Sequence, residues 1–250
     1  MEITNKTAII TGATGRLGRA IAVGLAARGM DCVCHFHRDS ETAGAVVEQI
    51  TAMGRRAVAA GADLCSETQV EQLFAAAGAF GKVRVLVNSA AVFGRCSLDE
   101  LTGEAVQRML GVNLVGPVLA SRYFLELLRA EGVKYGGASE PLAKIINMAD
   151  AGAIRPWAEY AAYCASKAGL IGLTKAMAKE AAPGVTVNAI APGIVTRPES
   201  MTEDEEQKQL ARIPMGRFGQ PEDVVRAVLF LLENDYITGQ VLSVDGGRTI

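Results

Sequence analysis

A chain of 250 residues, half of them hydrophobic and 21% charged, has ample material for one large core, so a single α/β domain over 1–250 is the simplest expectation. The formal net charge is −2 with no long basic run, which argues against nucleic acid or an anionic membrane surface as partner and for a small-molecule ligand. The start, MEITNK running straight into TAIITG, lacks the basic, apolar and small-residue order of a signal peptide. No stretch of about 18 uncharged apolar residues follows, so no membrane association and a cytoplasmic location are expected.

Strand-like and helix-like patterns then alternate from end to end, which predicts βαβ units around a parallel sheet. The β-rich run TAIIT (7–11) leads to an amphipathic segment at 16–28, a strand CVCHF (32–36), a helix near 40–53, a strand over 57–64 and a helix near 66–79. VRVLVN (83–88) precedes a long helical region over about 99–129. KIIN (144–147) precedes a helix near 158–180, VTVNAI (185–190) is the sixth strand, and a helix near 221–233 leads to GQVLSV (239–244). The expected fold is therefore α/β, doubly wound and Rossmann-type, with a seven-stranded parallel sheet and helices on both faces. Two segments break the rhythm. AEGVKYGGASEPLA (130–143) reads as a loop. TRPESMTEDEEQKQLAR (196–212) is highly charged and follows the sixth strand, where ligands bind in such sheets; it is either a substrate loop or lid, over 194–212, or a solvated surface helix.

The five cysteines (Cys32, Cys34, Cys65, Cys96 and Cys164) are odd in number, scattered and set in apolar surroundings, the pattern of reduced core thiols. Cys32 and Cys34 share a strand face and neighbour His35 and His37, the only histidines. Zinc ligands usually come as spaced pairs brought together by a turn, so no metal site is expected there.

TGATGRLG (11–18) joins the first strand to the first helix with Gly12, Gly15 and Gly18 in the turn. Glycines there let the backbone approach a pyrophosphate held by helix N–H groups, so a dinucleotide is the expected ligand. The end of the second strand selects between cofactors. It reads HFHRDS (35–40), with Arg38 where a 2′-phosphate would sit, so NADPH is expected, with Arg38 and Ser40 on the phosphate. The alternative is that Arg38 merely pairs with Asp39. Asp31 falls at the opposite end of the strand.

TGxxxGxG at 11–18, NSAA at 88–91, Asn113, the YxxxK of Tyr163 and Lys167, and PGI at 192–194 occur in one order and spacing, and over essentially the whole chain they resemble the short-chain dehydrogenases/reductases. The resemblance implies Tyr163 as acid/base, Lys167 lowering its pKa and binding the nicotinamide ribose, and Asn113 holding a relay water. It also implies Asp63 and Leu64 near the adenine, Asn88 in the cofactor groove and Ile194 at the carboxamide. Gly12, Thr14, Arg16, Leu17, Gly18, His37, Ala90, Pro192 and Gly193 complete the expected cofactor contacts. The residues agree: an ammonium four positions on, on the same helix face, would favour the phenolate of a tyrosine whose free pKa is about 10. Members are usually homotetramers, and Ala161, Ala162, Ala165, Ala168, Gly169 and Gly172 would allow a partner helix to pack closely.

One position departs from the pattern. Thirteen residues before Tyr163, where the family places a serine, stands Asp150, preceded by Ala149. A carboxyl group can carry a proton if burial raises its pKa; a serine is a poor proton source. The pteridine reductases and the related dihydromonapterin reductases carry aspartate at that position and protonate ring nitrogens of pterins. Arg16 matches their pterin-contacting arginine, HFHR (35–38) resembles their NADPH-selecting segment, and Phe93 falls where a ring sandwiches the pterin against the nicotinamide. The reading is an NADPH-dependent pterin reductase with Arg16, Phe93, Asp150 and Tyr163 at the substrate. The alternatives are a carbonyl reductase such as one acting on 3-oxoacyl thioesters, and a non-enzymatic NADPH-binding sensor. Thr196 or Arg197 would then lie near the nicotinamide.

Overall fold

The computed structural model describes residues 1–133, 141–197 and 201–250. Among these, seven strands, β1 (Thr7–Thr11), β2 (Asp31–Phe36), β3 (Ala57–Gly61), β4 (Val83–Asn88), β5 (Ala143–Met148), β6 (Val185–Pro192) and β7 (Val241–Val244), pair in the order β3-β2-β1-β4-β5-β6-β7. Every pairing is parallel. Parallel neighbours need crossover connections, and helices supply them. α1 (Arg16–Ala27), α2 (Ser40–Ala52) and α9 (Pro221–Glu233) cover one face; α3 (Glu67–Phe80), α5 (Gly116–Ala130) and α7 (Ala161–Ala181) cover the other. Successive strand residues feed the two cores in turn. Ala8, Ile10, Cys32, Cys34, Val85 and Val87 pack with Ile21, Leu25 and Val228, while Ile9, Val33, Leu86 and Ile145 pack with Phe74, Phe124 and Leu128. This is the doubly wound sheet that the alternation predicts.

Two details differ from the sequence reading, each for a local reason. The helical region over 99–129 is two helices, α4 (Gly103–Leu110) and α5, joined by a π-helical segment at Gly111–Val115; α4 begins at the Thr102 cap, so 99–102 stay outside it. A short helix, α6 (Ala151–Ile154), precedes α7 and is started by the Asp150 carboxylate, which accepts from the Gly152 N–H. The charged stretch after β6 holds α8 (Glu203–Leu210), fixed by a reciprocal capping box between Thr202 and Glu205. Residues 134–140 of the loop read over 130–143, and residues 198–200 of the charged stretch, lie outside the described residues. Among the described residues no helix is long and apolar enough to cross a membrane.

Strand order reverses between β1 and β4, and ligands of open α/β sheets bind outside the carboxyl ends of the strands at such a point. The Gly12–Gly18 turn and the loop after Asn88 meet there.

Candidate active site

Gly12 has a φ of +68°, and a Cβ on it would stand 2.7 Å from the Ala90 Cα. A Cβ on Gly18 would stand 2.2 Å from the Gly12 carbonyl oxygen, so only glycine permits this close turn beneath the β4 loop. Thr11 Oγ1 accepts from the N–H groups of Ser89 and Ala90 at 3.0 and 3.1 Å, tying that loop to β1. Gly15 is the N-cap of α1 and offers no side-chain cap, which leaves the first helical N–H groups to a ligand anion. Thr14 is half-buried in the turn, and Arg16 and Leu17 are the first two residues of α1, with Arg16 exposed.

His35 is the turn's main support, a role the sequence reading did not assign. Its buried ring accepts the Gly12 N–H on Nδ1 at 3.1 Å, and Nε2 lies 3.0 Å from the Ala62 carbonyl oxygen. Because Nδ1 accepts, Nε2 carries the proton; the ring is neutral, and burial lowers its pKa further. Cys32 and Cys34 are buried thiols pushed up by desolvation, in the same core cluster. The core-thiol expectation fails elsewhere: Cys65 is exposed and Cys96 half-buried, because both sit in loops.

Arg38 is exposed and makes no ion pair among the described residues, so the expected alternative of a pair with Asp39 is not found. Asp39 instead caps α2, accepting the Thr42 N–H at 2.9 Å, and that hydrogen bonding holds its carboxyl below the usual range. Ser40 is the first residue of α2. His37 Nε2 lies 4.0 Å from Asp63 Oδ2. β3 ends at Gly61, which leaves Asp63 and Leu64 in the following loop, with Leu64 buried beside Gly116. Asp31, at the far end of β2, pairs with Arg55 and Arg56. An uncapped helix start, a turn that only glycine fits and an unpaired arginine beyond β2 make a cradle that fits a phosphorylated dinucleotide.

Asp150, Tyr163 and Lys167 converge where β5 ends and α7 begins. Tyr163 Oη donates to Asp150 Oδ2 at 2.8 Å, while Asp150 Oδ1 accepts the Gly152 N–H at 2.6 Å. Burial raises the Asp150 pKa against the opposing effects of Gly152, Tyr163, Lys167 and Arg248. Lys167, fully buried, donates from Nζ to the Met148 carbonyl at 2.7 Å, and desolvation lowers its pKa to about 8. The Tyr163 pKa is raised, by burial and then by the Asp150 charge. This corrects the expectation that Lys167 lowers it. The ammonium is turned to Met148, and the group beside the phenol is an anion, so Tyr163 stays a protonated donor.

Asn113 is buried in the π-helical segment, and its side chain faces the β4 loop. Oδ1 accepts the Val92 N–H at 2.8 Å; Nδ2 donates to the Val92 carbonyl at 2.9 Å and to Ser166 Oγ at 3.1 Å. It thereby clamps the loop that carries Phe93. Asn88 donates to Asn147 Oδ1 at 2.8 Å, and Asn147 to Thr174 Oγ1 at 2.9 Å, a buried chain that ties α7 to the sheet.

Phe93 is 63% exposed, stacked on Tyr160 at 5.1 Å between centroids and edge-on to Tyr163 at 4.8 Å. Trp157, the only tryptophan, lies 5.6 Å from Tyr160 and 6.4 Å from Tyr163, a ring the sequence reading passed over. A cavity of about 410 Å³ opens between Phe93, Tyr160, Tyr163, the β4 loop and α4, with Arg95, Arg108 and Met109 among its walls. Beyond β6, Pro192 ends the strand, Gly193 donates to the Val244 carbonyl, and Ile194 lines a second cavity of about 380 Å³. Arg197 is turned away into α8, bonding Glu206 at 2.7 Å and the Met201 carbonyl at 2.6 Å, and Thr196 bonds the Val195 carbonyl.

The family model described as enoyl-(acyl carrier protein) reductase matches residues 12–249. A 3-oxoacyl-[acyl-carrier-protein] reductase of Synechocystis is 36% identical, covering 99% of this chain and 98% of the relative. Among solved structures, a blue fluorescent protein from a metagenomic library, in complex with NADPH, superposes with a TM-score of 0.87 at 30% identity over the whole of both chains. FolM alternative dihydrofolate reductase 1 of Brucella suis, in complex with NADP, superposes with a TM-score of 0.88 at 28% identity, covering 99% of this chain and 96% of that one. With a doubly wound sheet, a glycine turn at its switch point and a Tyr–Lys pair on one helix, and with matches that run from end to end, this chain belongs to the short-chain dehydrogenase/reductase family of oxidoreductases.

Proposed function

We propose that this chain is an NADPH-dependent reductase of pterins, taking dihydropterins to tetrahydropterins and accepting folates. The observation that carries this reading is the 2.8 Å hydrogen bond from Tyr163 to Asp150 where the family ordinarily has a serine. NADPH, when bound, supplies the hydride. The Gly12–Gly18 turn and the open start of α1 hold its pyrophosphate, and Arg38 and Ser40 its 2′-phosphate, while Asp39 Oδ1 is engaged by the Thr42 N–H. Arg16 and Phe93 orient the ring, with Tyr160 stacked on Phe93. Tyr163 donates the proton to the ring nitrogen beside the reduced carbon. Asp150, a carboxylate while the phenol is protonated, takes up a proton from water once Tyr163 has given its own and passes it to the phenolate, its buried carboxyl being held above the usual carboxylate range. Lys167 binds the nicotinamide ribose, Asn113 holds the β4 loop, and Asp63, Leu64, Asn88, Ala90 and Ile194 line the cofactor groove. The 194–212 segment acts as the lid, braced by Arg197 on α8. The reading includes a cytoplasmic homotetramer packed through the exposed Ala165, Ala168 and Gly172 of α7.

The 36% identity to a 3-oxoacyl-[acyl-carrier-protein] reductase favours a second reading, a carbonyl reductase in which Asp150 is incidental. NADPH oxidation followed with dihydrobiopterin, dihydrofolate and an acetoacetyl thioester in parallel separates the two. Turnover of a pterin supports the first reading, turnover of the thioester alone overturns it, and silence with all three points to a binder.

A further inference from the structure

Arg248, from the carboxyl-terminal segment, lies with Cζ 5.7 Å from the Trp157 ring centroid, on the same aromatic row that begins at Phe93 beside Tyr163. Its Nη2 donates to Gln209 Oε1 at 2.7 Å, which ties it to α8, and its backbone carbonyl accepts from Arg155 Nη1 at 3.4 Å. Nη1 is buried with no hydrogen-bond partner. Burial and the charge of Arg212 lower the Arg248 pKa, Arg155 adding to this and Asp150 and Asp245 opposing it, so three guanidinium groups share one region. Among the described residues none of the three is paired with a carboxylate. The two carboxylates within electrostatic reach are already engaged: Asp150 by Gly152 and Tyr163, and Asp245 by the N–H groups of Gly247 and Thr249 and the Thr249 hydroxyl. A buried, unpaired N–H of a cation, with two further cations beside it, is costly unless an anion completes the site.

We infer that the substrate carries an anionic group, a carboxylate or phosphate remote from its reacting centre, and that Arg248, flanked by Arg155 and Arg212, receives it. The inference rests on the reductase reading for the position of the reacting centre. Ring contacts run without a break from Tyr163 through Trp157 to Arg248, and the guanidinium at their end offers charge-assisted hydrogen bonds. The inference also gives a role to a residue of the segment after β7, which no catalytic motif reaches.

The test is equilibrium binding to the NADP⁺-loaded protein of two matched pairs: dihydrofolate against dihydrobiopterin, and acetoacetyl-coenzyme A against acetoacetyl-N-acetylcysteamine. In each pair the reacting group is the same and only the first member carries remote anionic groups. The charged member of one pair binds more tightly, Arg248→Gln lowers the charged-to-neutral affinity ratio about tenfold, and Arg248→Lys restores part of it. Arg212→Gln, at an exposed position that does not endanger folding, lowers the same ratio about threefold, and added salt compresses it. A ratio of one in both pairs, or a ratio that neither variant moves, overturns the inference. If the pterin reading alone is wrong, the preference and its loss appear in the thioester pair only.

Discussion

At position 150 a serine would offer a hydroxyl to a substrate carbonyl, whereas the aspartate there accepts the Tyr163 phenol and caps α6 at once. Two hydrogen bonds thus fix the carboxyl group while burial raises its pKa, which suits it to the proposed relay of a proton from water to the phenol. The position was legible as an anomaly from its spacing to Tyr163 alone. The direction of the Tyr163 shift was not, because it depends first on the burial of the phenol and then on the Asp150 charge beside it, both of which appear only in the fold. His35 was given no role for a similar reason: only the β1–β2 pairing brings it under Gly12. His35→Leu leaves the Gly12 N–H and the Ala62 carbonyl without a partner, at about 1–3 kcal/mol each, and loosens the turn. Thermal denaturation at neutral pH should show the lost stability, together with a raised KM for NADPH; an unchanged KM would confine His35 to the core. Since the folded-state pKa of His35 is depressed, the wild type holds this contribution above the unfolded value of about 6.5 and loses it as pH falls through the folded value. The Leu variant lacks that acid-side loss.

Among the elements, α8 is held chiefly by its cap and by surface polar contacts. Its eight residues bury no side chain, and its start depends on the Thr202–Glu205 box, so packing contributes little to hold it. The sequence shows charge here without an apolar stripe, which is why this helix read as either a lid or a solvated surface; the capping pair T-x-x-E was the available signal. Thr202→Ala removes the cap at about 1 kcal/mol, enough to shift a marginal helix but not the domain. Faster proteolysis within 201–212 and a higher substrate KM at constant Tm are expected. A higher Tm penalty with no KM change would mean that α8 is a structural brace. The π-helical segment was illegible for another reason. A single wide turn leaves no period in the sequence, yet it is what turns the Asn113 side chain toward Val92.

For the whole molecule, the seven parallel strands with helices on both faces followed from alternation, because strands buried on both faces read as apolar runs such as VRVLV and helices as amphipathic stripes, whereas the strand order did not. The substrate side was less legible. Trp157 and Arg248 stand 91 residues apart in sequence and meet only because the segment after β7 folds back over α6. The fold is shared with relatives of several activities, so the choice of reaction rests on the groups at the carboxyl ends of β4 and β5. The most direct test compares kcat for dihydrobiopterin and for an acetoacetyl thioester in the wild type and in Asp150→Ser, with NADPH saturating. The account predicts a fall of about 10²–10⁴-fold in pterin turnover with the serine and no comparable loss for the thioester. Pterin turnover that survives the substitution unchanged would contradict it.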